Sequence, residues 1–139
     1  MDETILERPT EELMSTPVET TDPGTTIDET ATTLWNLHVG ALVVVEDDDL
    51  RGIVTESDVV RSVGAEQDPA TTTVEEIMTE PVVTVEASAP VRTAVTRMNR
   101  LTIKKLPVTE DGVLVGILTT TDVANALAPD LEDVMELVF

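Results

Sequence analysis

The stretch GIVTESDVV, residues 52–60, returns later in the chain as GILTTTDVA, residues 116–124. Each copy has a glycine, two apolar residues, a threonine, two further residues and an aspartate, followed by apolar residues. The two glycines are 64 residues apart (116 − 52), and this offset holds upstream without a gap, since EELMSTPVET from Glu11 aligns with EEIMTEPVVT from Glu75. The chain is therefore two copies of one unit.

The composition is that of a folded globular protein. Its 139 residues are 41% hydrophobic and include no cysteine and one histidine, which excludes disulfides and leaves few ways to build a transition-metal site. The longest apolar stretches, GALVVV and VLVGIL, fall far short of the roughly 20 residues that span a bilayer, and the amino terminus is acidic. We expect a cytoplasmic protein with no membrane span, no metal and no required cofactor.

The charge is strongly negative. With 28 acidic and 8 basic residues, the formal net charge is −20, which would repel nucleic acids and anionic lipid surfaces. Such self-repulsion is easiest to tolerate in molar salt, where the Debye length is about 3 Å. The charge therefore argues against nucleic-acid binding and favours a salt-loaded cytoplasm, with an ordinary acidic protein as the alternative.

Within each copy the apolar periodicity first predicts a strand and a helix. The residues PVVTV, 81–85, indicate a short strand. The helix that follows has an apolar stripe and an arginine face, formed by Val91, Ala94, Val95, Met98 and Leu101 and by Arg92, Arg97 and Arg100. In the first copy, a turn-forming Asp-Pro-Gly precedes the equivalent stripe of Ile27, Ala31, Leu34 and Leu37.

A hairpin and a second helix complete each copy. GALVVVEDDDLRGIVTESD and KKLPVTEDGVLVGILTTTD each indicate a strand, an acidic turn and a second strand. The last helix is expected to start near Ser57 or Thr121, where a hydroxyl can cap free N–H groups. The predicted fold class is α/β, with two βαββα repeats. Because a unit of this size buries little surface alone, we expect the repeats to pack about a pseudo-twofold axis.

The predicted organisation has five parts: an N-terminal arm (1–9), a first repeat (10–65), a polar linker (66–73), a second repeat (74–128) and a C-terminal helical tail (129–139). The tail has an apolar stripe of Leu131, Val134, Met135 and Val138. This stripe is expected to cover the core or to contact a second subunit, and targeting of another protein is the alternative.

The repeated motif suits a ribonucleotide. Thr55 and Thr119 end strands, and Asp58 and Asp122 begin helices. An aspartate can accept hydrogen bonds from both ribose hydroxyls, while threonine hydroxyls and free helix N–H groups can bind phosphate. Helix capping is the alternative for a single copy, but a cap at the neighbouring hydroxyl would not explain the recurring glycine and threonine.

These features resemble a tandem pair of CBS domains (cystathionine-beta-synthase-type), such as stand-alone CBS proteins of halophilic archaea. The resemblance covers residues 10–128 and rests on MSTPVET and MTEPVVT, on VGALVVVEDD and IKKLPVTEDG, and on the two closing motifs. It implies a disc-like module with two clefts between the repeats, where family members bind AMP, ADP, ATP or S-adenosylmethionine.

The resemblance also implies roles for individual residues. Asp58 and Asp122 would bind ribose, with Thr55 and Thr119 near the ribose or phosphate. The base would be framed by residues before the first strand and before the hairpin of each copy: Val18, Thr20, Val39, Gly40, Ala41 and Leu42, and Val82, Thr84, Ile103, Lys104, Lys105, Leu106 and Pro107.

The two copies differ in charge. Lys104 and Lys105 are the only lysines, and on so acidic a chain they would form a local anion site. Members of the resembled family that bind AMP often contact phosphate with a basic dipeptide here, whereas the first copy has the uncharged Gly40-Ala41. Glu56 would repel a phosphate and its equivalent, Thr120, would not. We therefore expect unequal sites. Offsetting of nearby carboxylates remains the alternative role of the lysines, and which site they serve stays open.

Other candidate sites are weaker. The acidic run 46–49 lacks the spacing of a calcium loop and is expected to be a solvated hairpin tip. His38 has no cysteine or second histidine to join it and is expected to be structural or at the surface, and no activated nucleophile is evident. Trp35 is expected to anchor the core or an interface.

The sequence therefore predicts a regulatory binding module and not an enzyme. It would sense an adenosine nucleotide, form a homodimer and act on a regulated protein partner. The alternative is a structural or dimerisation module whose clefts stay empty and which acts through protein contacts.

Overall fold

A computed structural model of the chain describes residues 3–80 and 82–127. The predicted C-terminal tail, 129–139, lies outside the described residues. The chain divides into two compact units: one is Val18–Val83, and the other joins the residues up to Pro17 with those from Thr84 onward. Each unit is therefore built from parts of both sequence repeats.

The helices and strands predicted for the two repeats occur in the predicted order, together with two short helices and a 3₁₀ turn that were not predicted. They are α1 (Glu3–Glu7), a 3₁₀ turn (Thr10–Glu12), β1 (Thr20–Thr21), α2 (Ile27–Leu37), β2 (Ala41–Glu46), β3 (Asp49–Thr55), α3 (Glu56–Gly64), α4 (Val74–Ile77), β4 (Val85–Glu86), α5 (Val91–Leu101), β5 (Lys105–Glu110), β6 (Val113–Thr119) and α6 (Thr120–Leu127). The β-α-β-β-α order occurs twice, which confirms the predicted α/β fold class.

Each unit contains a three-stranded sheet. The unit Val18–Val83 has the strand order β1-β2-β3, and the other unit has the order β4-β5-β6. In both sheets the first strand is parallel to the second, and the second and third form an antiparallel hairpin. The central strands supply the core, since the side chains of Val43, Val44, Leu106 and Val108 are at most 1% exposed. The hairpins confirm the strand–turn–strand prediction.

The hairpin turns lie at the predicted acidic tips. Asp47 and Asp48 both have positive φ, and so do Asp111 and Gly112, which matches the twist of two-residue hairpin turns. The acidic run 46–49 is exposed. Behind it, Arg51 forms ion pairs with Glu46 and Glu75, and these carboxylates, Glu46 above all, raise the pKa of the Arg51 guanidinium.

The helical stripes are buried or half-buried except at their ends. Ile27 and Leu34 on α2 are buried, as are Val91, Ala94 and Met98 on α5. Leu37 and Leu101, each the last residue of its helix, are 45% and 48% exposed.

Trp35 is 79% exposed, so the prediction that it anchors the core was wrong. The residue is turned about 100° around α2 from the buried Leu34, which places its indole away from the sheet. Its other predicted role, as an interface anchor, stays a prediction.

The strand predicted for residues 81–85 is shorter and later than expected. Only Val85 and Glu86 form β4, paired with Val108 and Thr109 of β5. The carbonyl of Thr84, immediately before β4, accepts a hydrogen bond from the Arg97 guanidinium.

The opening segment of each repeat docks on the last strand of the other repeat's sheet. The N–H of Thr79 donates to the carbonyl of Ile53 at 2.9 Å, and the N–H of Ile53 donates back at 3.2 Å. Ser15 and Ile117 make the equivalent pair at 2.8 and 3.1 Å. Because of these bridges, each compact unit combines the sheet of one repeat with the opening segment of the other.

The two motif glycines make this docking possible. A Cβ added at Gly52 would lie 2.7 Å from the carbonyl oxygen of Thr79, and one added at Gly116 would lie 2.8 Å from Cγ of Met14. Real Cβ atoms do not approach other atoms so closely. The recurring glycine is therefore explained by packing of the docked segment.

We predict that Gly52→Ala destabilises the fold by about 1–3 kcal/mol, because the added methyl group must displace the backbone at Thr79. The matched control is Gly64→Ala at the end of α3, where nothing lies within 4 Å of an added Cβ. The control should be neutral or slightly stabilising. Denaturant unfolding measures both free energies. Equal stability of the two variants would contradict the docking role of Gly52.

Candidate functional site

The repeated motif lies where the third strand of each sheet runs directly into a helix. Thr55 ends β3 and Glu56 begins α3; Thr119 ends β6 and Thr120 begins α6. The N–H of Glu56 donates to the carbonyl of Gly40, and the N–H of Thr120 donates to the carbonyl of Lys104, each at 3.0 Å. These bonds hold each helix start beside the beginning of the hairpin's first strand.

In the first copy, Thr55 and Asp58 form a reciprocal capping box. The N–H and the hydroxyl of Thr55 donate to Oδ2 of Asp58 at 2.9 and 3.1 Å, and the N–H of Asp58 donates to Oγ1 of Thr55 at 3.3 Å. Each side chain therefore satisfies a backbone group of the other residue, as in other capping boxes.

The second copy has the same two backbone bonds of the capping box. The N–H of Thr119 donates to Oδ2 of Asp122 at 2.9 Å, and the N–H of Asp122 donates to Oγ1 of Thr119 at 3.1 Å. The helices begin within one residue of the predicted starts, at Glu56 and Thr120, but the predicted caps at Ser57 and Thr121 were wrong. The threonine that ends the strand has the extended backbone of a cap, as Thr55 shows with φ −120° and ψ 167°, whereas Ser57 already lies within the helix.

The other carboxylate oxygen distinguishes the copies. Oδ1 of Asp58 accepts from the Arg61 guanidinium at 3.1 Å, and Oδ1 of Asp122 accepts from the hydroxyl of Ser15 at 2.9 Å. Asp58 is only 3% exposed, whereas Asp122 is half-buried. An incoming hydroxyl group would therefore have to displace a charged donor from Asp58 but a neutral one from Asp122.

Sequence reasoning missed both of these donors. Arg61 had a local signal, because it lies three residues after Asp58 on one helix, and the second copy has Asn125 at that position. Ser15 had none, since it lies 107 residues from Asp122.

The hairpin register places the lysines beside the second copy of the motif. Lys105 is the cross-strand partner of Thr119, and the carbonyl of Lys104 is bonded to the start of α6. In the first copy, Ala41 is the partner of Thr55. Lys104 is exposed and Lys105 half-buried, and neither takes part in an ion pair within residues 3–80 and 82–127. Within the unit that contains them, the lysines therefore accompany Thr119 and Asp122.

The remaining predicted site residues separate by unit. Those in the unit Val18–Val83 are Val18, Thr20, Val39, Gly40, Ala41, Leu42 and Val82. Those in the unit that continues from Thr84 are Thr84, Ile103, Lys104, Lys105, Leu106 and Pro107. The side chains of Leu42 and Leu106 are 1% and 0% exposed, so these two residues could meet a ligand only through their backbone.

Among residues 3–80 and 82–127, no group of three or more histidine, cysteine, aspartate or glutamate side chains is arranged to hold a metal ion. None of the helices described there is both long and apolar enough to cross a bilayer.

The CBS domain profile matches residues 11–65 and 74–129. Together these two segments are well over half of the chain, and they contain both capping boxes and both docked segments. The chain therefore belongs to the CBS-domain family.

Individual relatives agree with this assignment. The CBS domain-containing protein YhcV of Bacillus subtilis is 32% identical over 111 residues, which are 80% of this chain and 79% of YhcV. Protein MK0525 of Methanopyrus kandleri is 37% identical over 109 residues, and the chain spans only 56% of its length. The crystal structure of the CBS domain pair of protein MJ0100, in complex with 5′-methylthioadenosine and S-adenosyl-L-methionine, superposes with a TM-score of 0.80 at 27% identity, covering 88% of this chain and 97% of that one.

We predict that Thr55→Ala and Thr119→Ala each lower the free energy of unfolding by about 1 kcal/mol, because each removes a helix cap. Ser57→Ala and Thr121→Ala are the matched controls, since both residues are exposed and lie inside the helices. The controls should stay within about 0.5 kcal/mol of the native chain. Denaturant unfolding is the measurement, and a larger loss in the controls would refute the assigned caps.

Proposed function

We propose that this CBS pair is a regulatory binding module for an adenosine-containing ligand, bound chiefly at the second copy of the motif. The observation that carries the proposal is the pairing of Lys105 with Thr119, which brings the only two lysines to the Thr119–Asp122 capping box. The adenosine ligands of the MJ0100 domain pair support the ligand class.

The second copy offers complementary groups to a ribonucleotide. The ribose hydroxyls would take the place of the Ser15 hydroxyl at Oδ1 of Asp122, while the capping bonds at Oδ2 stay intact. This exchange replaces one neutral hydrogen bond by another and therefore costs little. The ammonium groups of Lys104 and Lys105 would supply charge-assisted bonds to a phosphate. In a chain of net charge −20, the same two groups would also make this the favourable place for an anion.

The first copy is proposed to bind more weakly. Arg61 neutralises the nearly buried Asp58, and breaking that pair would leave a buried carboxylate in need of a new donor. Glu56 stands in the first turn of α3, where its charge opposes a phosphate. No lysine precedes β2, since Gly40 and Ala41 occupy those positions. All of these charge differences make nucleotide binding weaker at the first copy than at the second.

A specific observation also favours the alternative function. The capping boxes satisfy the motif threonines and aspartates without any ligand, which is compatible with a structural or dimerisation module. The action on a protein partner, the absence of catalysis and the salt-loaded cytoplasmic setting are parts of the proposal that rest on the sequence. The two functions differ in one measurable respect, which is stabilisation by adenosine ligands.

We predict that AMP, ADP or ATP raises the melting temperature in about 1 M KCl and that Lys105→Ala weakens the binding of that nucleotide about tenfold or more, because one charge-assisted bond is lost. Calorimetry measures the dissociation constants. Binding of 5′-methylthioadenosine, which has no phosphate, should be unchanged. Arg100→Ala is the control, since it removes one exposed positive charge from α5.

Two results would contradict this proposal. If no adenosine ligand, including S-adenosylmethionine, stabilises the chain at millimolar concentration, the proposed ligand binding is wrong and the structural alternative is favoured. If Lys105→Ala weakens 5′-methylthioadenosine as much as AMP, the lysine does not act on phosphate.

We further predict that exchanging two residues between the copies moves the binding capacity. Glu56→Thr with Arg61→Asn gives the first copy the second copy's residues at these two positions, and calorimetry should detect tighter binding there, still weaker than at the second copy because Gly40 and Ala41 carry no charge. The reciprocal variant, Thr120→Glu with Asn125→Arg, should lose binding at the second copy, and both of its changes are at exposed positions. Unchanged stoichiometry and affinity in both variants would show that these charges do not select the site.

A further inference from the structure

Two methionines pack the docked segments against the motif glycines. Met14 and Met78 are 64 residues apart, and each lies in the segment that docks on the last strand of the other repeat's sheet. The three atoms nearest to a Cβ added at Gly116 are all side-chain atoms of Met14, with Sδ the nearest. Sδ of Met78 lies 3.0 Å from a Cβ added at Gly52. Each thioether therefore lies directly against the backbone of the strand on which its segment docks.

The two methionines differ in exposure. Met78 is 9% exposed and lies in a buried cluster with Val54 and Val74. Met98, the third methionine in the described part of the chain, is 4% exposed. Met14 is half-buried, and the three residues that follow it are all exposed. Among the described methionines, Met14 is therefore the most accessible to an oxidant in the solvent.

We propose that Met14 is a site of reversible oxidation by peroxides and that its oxidation releases the opening segment of the first repeat from β6. The thioether sulfur attacks one oxygen of hydrogen peroxide, the O–O bond breaks and an S–O bond forms. The proton of the transferred hydroxyl passes to the departing hydroxide, which leaves as water. The sulfur loses two electrons and the peroxide gains them. Because the chain has no cysteine, no thiol of this protein competes with methionine for the oxidant.

The oxidised side chain does not fit the docked position. A sulfoxide is larger than a thioether and has a strong hydrogen-bond acceptor, which costs free energy where neither a donor nor water reaches it. Sδ of Met14 lies against Gly116, and the neighbouring N–H of Ile117 already donates to the carbonyl of Ser15 at 3.1 Å. The sulfoxide is therefore expected to turn toward water, and the segment leaves β6 with it.

Release of this segment breaks the contacts of Ser15, the residue next to Met14. These contacts are the two backbone bonds with Ile117 and the bond from the Ser15 hydroxyl to Asp122. The equivalent segment at Met78 stays docked, because its thioether is buried. Oxidation thus acts on one of the two docked segments, and methionine sulfoxide reductases can reverse it. This modification does not depend on nucleotide binding.

The test treats the folded chain with hydrogen peroxide and follows each methionine by peptide mass spectrometry. Met14 should be oxidised before Met78 and Met98, and the melting temperature should fall by about 4 °C or more. Hydrogen exchange at the amide of Ile117 should become about tenfold faster or more, whereas exchange at the equivalent amide of Ile53 should not change. Treatment with methionine sulfoxide reductases should restore both the melting temperature and the exchange rate.

Met14→Leu is the matched variant, because leucine has nearly the volume of methionine and no sulfur. Neither its melting temperature nor exchange at Ile117 should respond to peroxide. The other methionines are unchanged, so their oxidation contributes equally to both chains. Met78→Leu is the control and should respond as the native chain does.

Three results would overturn the proposal. In the first, Met78 is oxidised as fast as Met14 in the folded native chain. In the second, Met14 sulfoxide forms and exchange at Ile117 stays unchanged. In the third, Met14→Leu responds to peroxide as the native chain does. The first two are measured on the native chain and therefore decide the matter even if Met14→Leu does not fold.

Discussion

The fold depends on the close docking of each repeat's opening segment against the last strand of the other repeat's sheet. The contact requires glycine at residues 52 and 116, because a Cβ there would meet Thr79 or Met14. Residues that precede the docked segments also contact the other repeat. The carbonyl of Thr72 accepts from the first N–H of α2, and the carbonyl of Arg8 accepts from the first N–H of α5. The linker and the N-terminal arm are therefore structural parts of the compact units, and neither repeat completes its own fold.

In this arrangement the aspartate of the repeated motif can cap its helix and accept a hydrogen bond from a second group. Each aspartate commits Oδ2 to the cap of its helix and keeps Oδ1 for another donor. A ligand could therefore take Oδ1 without unfolding the helix start. The donor now at Oδ1 differs between the copies, an arginine for Asp58 and a serine for Asp122, and so does the charge of the residues next to each motif. The two motifs therefore share one backbone arrangement but differ in the charge of the groups around the aspartate.

Much of the fold could be predicted from the sequence, because strands, hairpin turns and amphipathic helices follow from local periodicity and turn chemistry. The predictions of the helix cap and of the core residue on α2 were wrong because, in each case, two nearby residues could have the same role. Ser57 and Thr55 can both cap a helix, and only the extended backbone at the end of β3 selects Thr55. Trp35 is apolar enough for a core, yet the register of α2 directs Leu34 inward in its place. For the candidate site, the types of residue were predictable, but their partners were not.

The sequence by itself determined the twofold repeat, the order of the helices and strands, and the presence of two motifs that differ in nearby charge. All three follow from the types of residue and their fixed spacing. Only the tertiary structure decided which groups meet at each motif. Ser15 reaches Asp122 across 107 residues because its segment docks on β6, and Lys105 faces Thr119 because the β5–β6 register aligns them. The physical reason is the same in both cases: strand pairing joins residues whose separation along the chain carries no local signal.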